Sequence, residues 1–258
     1  VRCFRPELIT HCAAQTSVTV SMTDPLLDAT SNIIGGINVC RGAVSCGCSQ
    51  IIYLSTGGAL YGPPEYLPSD EDHPVRPSSA YGLSKWTLER YMRLIVPDSI
   101  QLNVLRLANV YGPRQDPEGE AGVVSIFGLQ MSRKQSVTIF GDGEQTRDYV
   151  YVEDAARAYM LVAEKIASGS EVQGNAFNFS YESPLTALEA VETITACMER
   201  TDLKPVIQNT AQNEIPHQYL SAKKAREILG WRAKYDFESG LERTIPWYAK
   251  LLKEDTAR

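Results

Sequence analysis

Residues 50–62 read QIIYLSTGGALYG, an apolar run that ends in two hydroxyl residues and a pair of glycines. A short run of apolar, β-branched and aromatic residues that stops at a glycine turn is typical of a buried strand. Ser55 and Thr56 stand at its carboxyl end, directly before Gly57 and Gly58. Ligands of open parallel sheets bind beyond the carboxyl ends of the strands. The stretch therefore predicts a buried strand with its functional side chains at its end.

Strand and helix patterns alternate around this stretch. The periodicity predicts strands at 8–12, 50–55 and 101–107 and helices at 28–44 and 80–94. After Pro113 the pattern loosens, and it predicts a short strand at 137–140 and helices near 124–132, 154–167, 186–198, 221–229 and 241–252. Strands that alternate with helices imply βαβ units and a parallel sheet. We expect an α/β fold, a doubly wound parallel sheet with a smaller C-terminal lobe.

The composition excludes several classes of protein. The chain has 258 residues, 43% of them apolar, which is enough for a substantial core. The net charge of −6, without a basic block, argues against nucleic acid or an anionic membrane as a partner. There is no apolar run that could span a bilayer, so a cytoplasmic location is expected.

Cysteines cluster near the start of the chain. Five of the six are Cys3, Cys12, Cys40, Cys46 and Cys48. Zinc sites need paired cysteines at a wider spacing than Cys46-x-Cys48, and Cys12 falls in a buried-strand pattern. We expect no metal, and free thiols that pack as small apolar residues in a reducing compartment.

Tyr81 and Lys85 lie four residues apart in a predicted helix, so both project from the same face. We expect the Lys85 ammonium to lie below the Tyr81 phenol and to favour its ionised form. Lowering a tyrosine pKa from about 10 by roughly three units requires about 4 kcal/mol, more than one lysine supplies. A positively charged oxidised nicotinamide ring could supply the rest. The pair therefore indicates redox chemistry with a dinucleotide cofactor.

Five segments follow one another in the order found in extended short-chain dehydrogenases/reductases: 11–15, 55–62, 81–85, 106–114 and 140–150. The chain resembles the NAD-dependent nucleotide-sugar epimerases and dehydratases, and residues 115–124 are most similar to those of UDP-glucose (UDP-galactose) 4-epimerases. The resemblance implies a Rossmann-like fold. It also implies an incomplete NAD-binding domain over 1–112 and a substrate-binding lobe over 113–258, with about 147–167 returning to the first domain.

The glycine motif of that family is missing from the sequence. Family members begin with a strand, a Gly-x-x-Gly-x-x-Gly turn and a helix that holds the cofactor pyrophosphate. Gly35 and Gly36 instead fall inside the predicted helix 28–44, where we interpret them as packing positions. The strand at 8–12 corresponds to the family's fourth, so we expect an N-terminally truncated sequence of a longer protein. The alternative to truncation is that the remaining strands close the sheet in a different arrangement.

The resemblance assigns roles at the strand ends. Tyr81 is the implied base, with Lys85 as its electrostatic partner and ribose contact. Many relatives place a serine or threonine at the position of Gly57, so the assisting hydroxyl here is Thr56 or, less directly, Ser55. The implied cofactor-binding residues are Ala13, Ala14, Gln15, Ser55, Tyr81, Lys85, Ala108 and Val110.

Nucleotide-sugar contacts are assigned in the same way. Arg147 is the best candidate for the diphosphate, because a guanidinium forms bidentate charge-assisted bonds. Relatives often carry a further arginine near 214–220, which this sequence lacks. Either His217 or Gln218 bonds the nucleotide less strongly in its place, or the nucleotide differs from UDP. The implied substrate-binding residues are Asn109, Val123, Val124, Arg147 and Gln218, with Ala121 to Val124 presenting backbone groups to the uracil.

The implied reaction is NAD-dependent epimerisation at C4 of a nucleotide-linked hexose through a 4-keto intermediate. Dehydratases typically follow the loop hydroxyl with Asp-Glu, whereas Gly57 and Gly58 offer no acid or base. A 4,6-dehydratase, a 4-keto reductase, or a non-catalytic fragment that no longer binds NAD remain the alternatives. The resemblance also implies a homodimer through helices near 28–44 and 80–94.

Overall fold

A computed structural model describes residues 1, 3–117, 122–168, 172, 174–210 and 215–255 of the chain, with side chains to residue 250. The strands are β1 (Leu8–His11), β2 (Gln50–Thr56), β3 (Gln101–Leu107), β4 (Asn109–Tyr111), β5 (Thr138–Ile139), β6 (Thr146–Arg147), β7 (Tyr149–Tyr151), β8 (Ala176–Phe179), β9 (Leu185–Thr186), β10 (Val206–Ile207) and β11 (His217–Gln218). The helices are α1 (Val18–Thr23), α2 (Pro25–Asp28), α3 (Gly35–Cys46), α4 (Ala80–Ile95), α5 (Val123–Ser132), α6 (Val152–Ala167), α7 (Ala187–Cys197) and α8 (Phe237–Asp255). Two π-helical segments, Ala29–Ile34 and Ala225–Leu229, complete these elements.

The main sheet has the strand order β1-β2-β3-β8, and all its pairings are parallel. Its three predicted strands are confirmed within a residue or two at each end. The fourth strand, β8, was not predicted, because the polar Asn178 interrupts its three apolar residues and leaves no continuous apolar run. β8 belongs to the C-terminal half of the chain and still joins this sheet. The predicted division into two domains remains a prediction.

Helices cover both faces of the sheet. On one face, α3 and α4 enclose a core of Cys40, Ile51, Leu88, Met92 and Val104. On the other, α6 and the segment Ala225–Leu229 pack over Ile52, Leu105, Phe177, Phe179 and Trp231. This two-sided burial explains why β2 and β3 are apolar along most of their length.

Gly36 is a packing position, as predicted. A Cβ atom at Gly36 would lie 2.2 Å from Cδ2 of Leu88, so glycine allows α3 to approach α4. The helical region also begins earlier than predicted, because Ser17 and Asp24 cap the short helices α1 and α2 with their side-chain oxygens. Neither helix is long enough to show a clear apolar period.

The C-terminal half adds a second core. Tyr111, Val124, Tyr149, Ile194 and Leu241 belong to a cluster that joins α5, α7 and α8. Three short strands next to it form the order β11-β6-β9. Among the described residues, no helix is long and apolar enough to cross a membrane, and no three His, Cys, Asp or Glu side chains group as metal ligands.

Two of the cysteines differ from their predicted environment. Cys12 follows β1 and is exposed, because β1 ends at His11, so the prediction that it is buried in a strand was wrong. Cys3 is exposed as well, whereas Cys40 and Cys48 are buried as expected. All six thiols are free.

Candidate active site

Tyr81 lies in the first turn of α4, next to the end of β2. Ser79 caps this helix by accepting a hydrogen bond from the backbone N–H of Gly82, which fixes where the first turn projects its side chains. The Tyr81 phenol lies close enough to the Thr56 side chain for the Thr56 hydroxyl to lower the pKa of the phenol. The Thr56 hydroxyl also accepts a bond from the backbone N–H of Ala59 at 3.3 Å. The structure therefore brings together the predicted base and the first of the two predicted assisting hydroxyls.

The ionisation of Tyr81 depends mainly on its burial. Burial raises the pKa of Tyr81 to about 12, the Thr56 hydroxyl lowers it, and the Asp28 carboxylate raises it. The Lys85 ammonium donates a 2.6 Å hydrogen bond to the Leu54 carbonyl and is not among the groups that shift the pKa of Tyr81 here, so its predicted effect on the phenol remains a prediction. The surrounding protein thus favours the neutral phenol. Bringing its pKa to 7 requires about 7 kcal/mol of stabilisation of the phenolate.

Lys85 is buried beneath the strand end, with 3% of its surface exposed. Its Nζ atom lies 4.6 Å from the ring centroid of Tyr53 and donates a hydrogen bond to the Leu54 carbonyl. Burial lowers the pKa of Lys85 to about 8, and the nearby Glu89, Cys12 and Asp28 groups act in the opposite direction. A buried ammonium with this pKa changes its charge in the physiological range.

Ser55 points away from the phenol and into the protein. Its hydroxyl donates a 2.6 Å hydrogen bond to Glu89 Oε1. Glu89 in turn forms an ion pair with Arg106, with 2.8 Å between Nη2 and Oε2. Alternation along β2 explains the difference, because neighbouring residues of a strand face opposite sides. This geometry favours Thr56 over Ser55 as the assisting hydroxyl.

A pocket of about 380 Å³ opens at the carboxyl end of β1. Its lining residues are His11, Ala13, Ala14, Gln15, Ser31, Gly35 and Val39. Three of them, Ala13, Ala14 and Gln15, are predicted cofactor-binding residues. Burial and the Lys85 charge lower the pKa of His11, so the imidazole presents a neutral face to this region.

A buried amide network, which the sequence did not reveal, holds Gln15 in place. The backbone N–H of Gln15 donates to Asn32 Oδ1 at 2.8 Å, and its side-chain amide donates to Asp28 Oδ1 at 2.9 Å. Asn32 Nδ2 donates to the Gln15 carbonyl, to Asp28 and to the Ser84 hydroxyl. Ser84 lies between Tyr81 and Lys85 in the sequence, so the network joins the pocket to the α4 site. Polar residues inside a helical pattern gave no signal that they would be fully buried.

The end of β3 and the strand β4 supply the next group of predicted residues. Ala108, Asn109 and Val110 are half-buried. Asn109 donates two bonds to the Asp148 carbonyl, from its backbone N–H at 3.1 Å and from Nδ2 at 3.2 Å. Its Oδ1 atom faces the Thr56 loop, because a Cβ built on Gly58 would lie 3.6 Å from it. Asn109 therefore borders the space next to Thr56.

Arg147 and Gln218 are direct neighbours across a strand pairing. β6 and β11 run parallel with Arg147 opposite Gln218 and Thr146 opposite His217. The Arg147 guanidinium donates to the Thr146 carbonyl at 2.8 Å and to the Pro216 carbonyl at 3.4 Å. The Nε2 atom of Gln218 is buried without a hydrogen-bond partner among the described residues. The structure thus pairs the two predicted nucleotide contacts, while His217 is exposed and bonds Thr146.

Val123 and Val124 begin α5 at the edge of the second core. Val123 is 37% exposed, whereas Val124 is buried in the core beside Tyr111. Of the predicted uracil segment, Ala121 lies outside the described residues. Of the residues of this segment that the structure describes, only Val123 presents its side chain to solvent.

Replacing Thr56 should separate the two candidate hydroxyls. Thr56→Val keeps the shape of the side chain but removes the hydroxyl beside Tyr81, so turnover should fall roughly tenfold to a hundredfold. Thr56→Ser should keep most of the turnover. Ser55→Ala removes a hydrogen-bond partner of the buried Glu89, so it should lower the free energy of unfolding by about 1–3 kcal/mol. Its loss of turnover should be smaller than that of Thr56→Val. Steady-state kinetics and thermal unfolding of the three variants check this, and a larger loss from Ser55→Ala would reverse the assignment.

The fold is Rossmann-like and is of the class found in short-chain dehydrogenases/reductases. The family model described as "NAD dependent epimerase/dehydratase family" matches residues 1–179. The chain belongs to this family. The match confirms the predicted family and the predicted class of NAD-dependent enzyme.

Individual relatives agree with this placement. The chain is 35% identical over 246 residues to a UDP-glucose 4-epimerase of Mycolicibacterium smegmatis, covering 95% of this chain and 77% of the relative. The structure of a UDP-glucose 4-epimerase of Thermotoga maritima with UDP-glucose matches with a TM-score of 0.90 and 38% identity, over 96% of this chain and 79% of the other. The Thermus thermophilus UDP-glucose 4-epimerase in complex with NAD matches with a TM-score of 0.84 and 34% identity, over the same shares.

More distant relatives carry other names. A dTDP-4-dehydro-6-deoxyglucose reductase of Escherichia coli is 30% identical over 84% of this chain and 67% of its own length. A dTDP-D-glucose 4,6-dehydratase of Mus musculus is 27% identical over 95% of this chain and 68% of its own length. The family therefore contains several reactions, and residues of the site have to distinguish among them.

Proposed function

We propose that the chain catalyses the NAD-dependent epimerisation of a UDP-linked hexose at C4, interconverting UDP-glucose and UDP-galactose. The observation that carries the proposal is that the Tyr81 phenol and the Thr56 hydroxyl lie together at the end of β2, with the Lys85 ammonium buried beneath the same strand end. A phenol and a hydroxyl that lie side by side can both reach a single sugar oxygen. The relatives named UDP-glucose 4-epimerase support the choice of substrate.

Each residue of the site has a separate role at the sugar C4 hydroxyl. Tyr81 accepts the O4 proton as the hydroxyl becomes a ketone, and returns it when the ketone is reduced from the opposite face. Thr56 orients O4 with the hydroxyl that lies beside the phenol. Lys85 contributes a positive charge to the site, provided that it is protonated. Asn109 borders the space in which the 4-keto sugar has to rotate so that its opposite face meets the hydride.

The described residues fit the nicotinamide end of NAD. Ala13 and Ala14 leave room in the pocket beyond β1, and Gln15 is fixed there by bonds to Asp28 and Asn32. NAD, when bound, supplies the group that takes up hydride from C4 and returns it. Its positive charge is also the further stabilisation that the Tyr81 phenolate requires, because the protein by itself raises the pKa of this phenol to about 12.

The space around Gly58 supports epimerisation over dehydration. A Cβ on Gly58 would lie 3.6 Å from Asn109 Oδ1 and 3.9 Å from Thr56 Oγ1, so any side chain at this position would project beside Tyr81's partner. A Cβ on Gly57 would instead lie 2.1 Å from Leu220. A dehydratase needs an additional acid and base near C5 and C6, and this loop provides neither. The same absence argues against decarboxylation.

Arg147 is the proposed diphosphate ligand, with Gln218 beside it. Arg147→Ala removes a charge-assisted bond worth about 1.5–3 kcal/mol, so the dissociation constant for UDP should rise roughly tenfold to a hundredfold. Arg147→Lys should recover part of this loss, because lysine keeps the charge but not the bidentate geometry. Calorimetric titration with UDP measures the effect, and Arg232→Ala, at an exposed position, is the control. Equal affinity of Arg147→Ala and the unchanged protein would exclude this role.

A homodimer is the proposed assembly. Large apolar side chains are exposed on the two helical segments that the family resemblance assigns to the interface: Ile34, Val44, Leu83, Tyr91 and Leu94. The neighbouring helices α1 and α2 expose Met22, Leu26 and Leu27 as well. Leu26 and Leu94 are 76% and 82% exposed. A second copy of the chain would cover this surface. The predicted cytoplasmic location remains a prediction.

Calorimetric titration of the chain with NAD, alone and then with UDP-glucose, tests the proposal at the binding stage. Saturable binding of NAD, followed by binding of UDP-glucose to the loaded protein, is the expected result. Folded protein that binds neither compound would exclude the function for this chain. The pocket variant Ala14→Trp provides a control, since a bulky side chain there should weaken NAD and not UDP.

A further inference from the structure

A fully buried ion pair lies beneath the proposed site. Glu89 of α4 is 0% exposed and the Arg106 side chain of β3 is 3% exposed, and they are joined at 2.8 Å between Oε2 and Nη2. Arg106 Nε makes a second bond to Glu89 Oε1 at 3.3 Å. Burying two charges requires that their remaining hydrogen-bonding atoms find partners. The proposed reaction uses neither side chain directly.

The partners of this pair come from three neighbouring segments. Ser55, at the end of β2, donates to Glu89 Oε1 at 2.6 Å. Arg106 Nη1 donates to the Tyr61 hydroxyl at 2.9 Å, and Tyr61 donates to Asn178 Oδ1 at 2.8 Å. The pair therefore ties β3 and α4 to the ends of β2 and β8 and to the loop after β2.

Glu89 also lies on the same helix face as Lys85, one turn further along α4. Lys85 bonds the carbonyl of Leu54 and Glu89 bonds the hydroxyl of Ser55, so two consecutive residues of β2 are held by two consecutive turns of α4. Thr56, the proposed orienting hydroxyl, is the next residue of the strand. An arrangement that fixes residues 54 and 55 therefore fixes the strand end that presents Thr56 to Tyr81.

We propose that Glu89, held by Arg106, is a positioning residue that fixes the end of β2 against α4 and places a carboxylate one helical turn from the buried Lys85 ammonium. This inference rests on the proposed function in one respect: the catalytic role given to the Lys85 charge comes from that proposal. Glu89 acts through Lys85 and Ser55 and does not touch the substrate.

The charge of Lys85 is set by several groups from all sides. Burial lowers its pKa to about 8, and Glu89 is the largest of the influences that oppose burial. The titratable or aromatic groups that face it are His11 and Cys12 beyond β1, Tyr53 on β2, Asp28 of α2, and Tyr81 and Glu89 on α4. Only Glu89 among them has its own buried counter-ion and a bond to the strand that Lys85 holds.

The test measures the titration of Lys85 directly in the double variant Glu89→Gln/Arg106→Gln. Removing both charges avoids an unpaired buried ion, and the amide oxygen at position 89 can still accept the bond from Ser55. Carbon-13 labelling at lysine Cε follows each lysine by NMR as pH changes, and the Lys85→Met spectrum identifies the Lys85 signal. The pKa of Lys85 should fall by roughly one unit in the double variant. Where turnover is measured, its alkaline limb should move down by the same amount.

The matched control is Glu182→Gln/Arg226→Gln, which removes an ion pair of the same two residue types in the C-terminal half. This control should leave the Lys85 titration unchanged. If the first double variant does not fold, Glu89→Met/Arg106→Met removes the same charges without buried polar ends, and the same fall is expected. An unchanged Lys85 pKa in a folded double variant would overturn the proposal. Because the NMR titration needs no turnover, that result is distinct from a failure of the proposed function, which would show as absent epimerisation by the unchanged chain.

Discussion

Tyr81→Phe should lower turnover of UDP-glucose by roughly 10²–10⁴-fold, because it removes the only group proposed to exchange a proton with O4. The phenyl ring keeps the packing of the side chain, so the affinities for NAD and UDP-glucose should stay as they are. The variant also loses the phenolic hydroxyl that lies beside Thr56 in the same site. Initial rates with saturating NAD measure the loss of turnover, and calorimetric titrations measure the affinities for NAD and UDP-glucose.

Tyr91→Phe is the matched control for this substitution. Tyr91 lies on the same helix, α4, and is 43% exposed on its outer surface. Its loss of a hydroxyl should change neither turnover nor binding. If Tyr81→Phe and Tyr91→Phe turned over at the same rate, the assignment of Tyr81 as the base would be wrong.

Lys85→Met should have the second largest effect, a loss of turnover of roughly a hundredfold near pH 7. Methionine retains much of the buried stem but neither the charge nor the bond to Leu54. The pH profile provides a signature of its own. Because burial lowers the pKa of Lys85 to about 8, the charged form is lost as pH rises through 8, and turnover of the unchanged protein should fall there. The variant should lack this alkaline fall.

Lys224→Met offers a close control for that experiment. Lys224 donates a 2.9 Å bond to the Ala176 carbonyl and lies 5.1 Å from the ring centroid of Phe177, an arrangement similar to that of Lys85 on Leu54 and Tyr53. Burial lowers its pKa as well. It is remote in sequence from the strand end that carries Thr56, so its loss should change stability more than turnover. An alkaline fall that persisted in Lys85→Met would assign that limb to another group.

The sequence contained the signals that predict the sheet and the α4 pair. Apolar runs bounded by polar ends were sufficient for β1, β2 and β3, since their neighbours in space follow the βαβ rule. Tyr81 and Lys85 could be placed on one helix face by their spacing alone. The strands β8 and β11 gave no such signal, because Asn178 interrupts the apolar residues of β8 and β11 consists of only the two polar residues His217 and Gln218.

The internal polar contacts could not be predicted, because each depends on where distant segments meet. Glu89 and Arg106 are 17 positions apart in the chain, and a glutamate in an amphipathic helix ordinarily lies on the solvent face. The contact of Lys85 with Leu54 rather than with the Tyr81 phenol depends on how deeply α4 is seated against β2. The pairing of Arg147 with Gln218 likewise joins strands that lie 71 residues apart, as the Thr146–His217 bond beside them shows.

The central claim, oxidation and re-reduction at C4, can be tested with UDP-glucose that carries deuterium at C4. The chain is incubated with NAD and this substrate, and the products are identified by NMR and mass spectrometry. We expect UDP-galactose that retains the deuterium at C4, because the same hydride leaves and returns. Deuterium moved to C6 of a 4-keto-6-deoxy product would indicate a 4,6-dehydratase, and deuterium lost to water would contradict hydride return altogether.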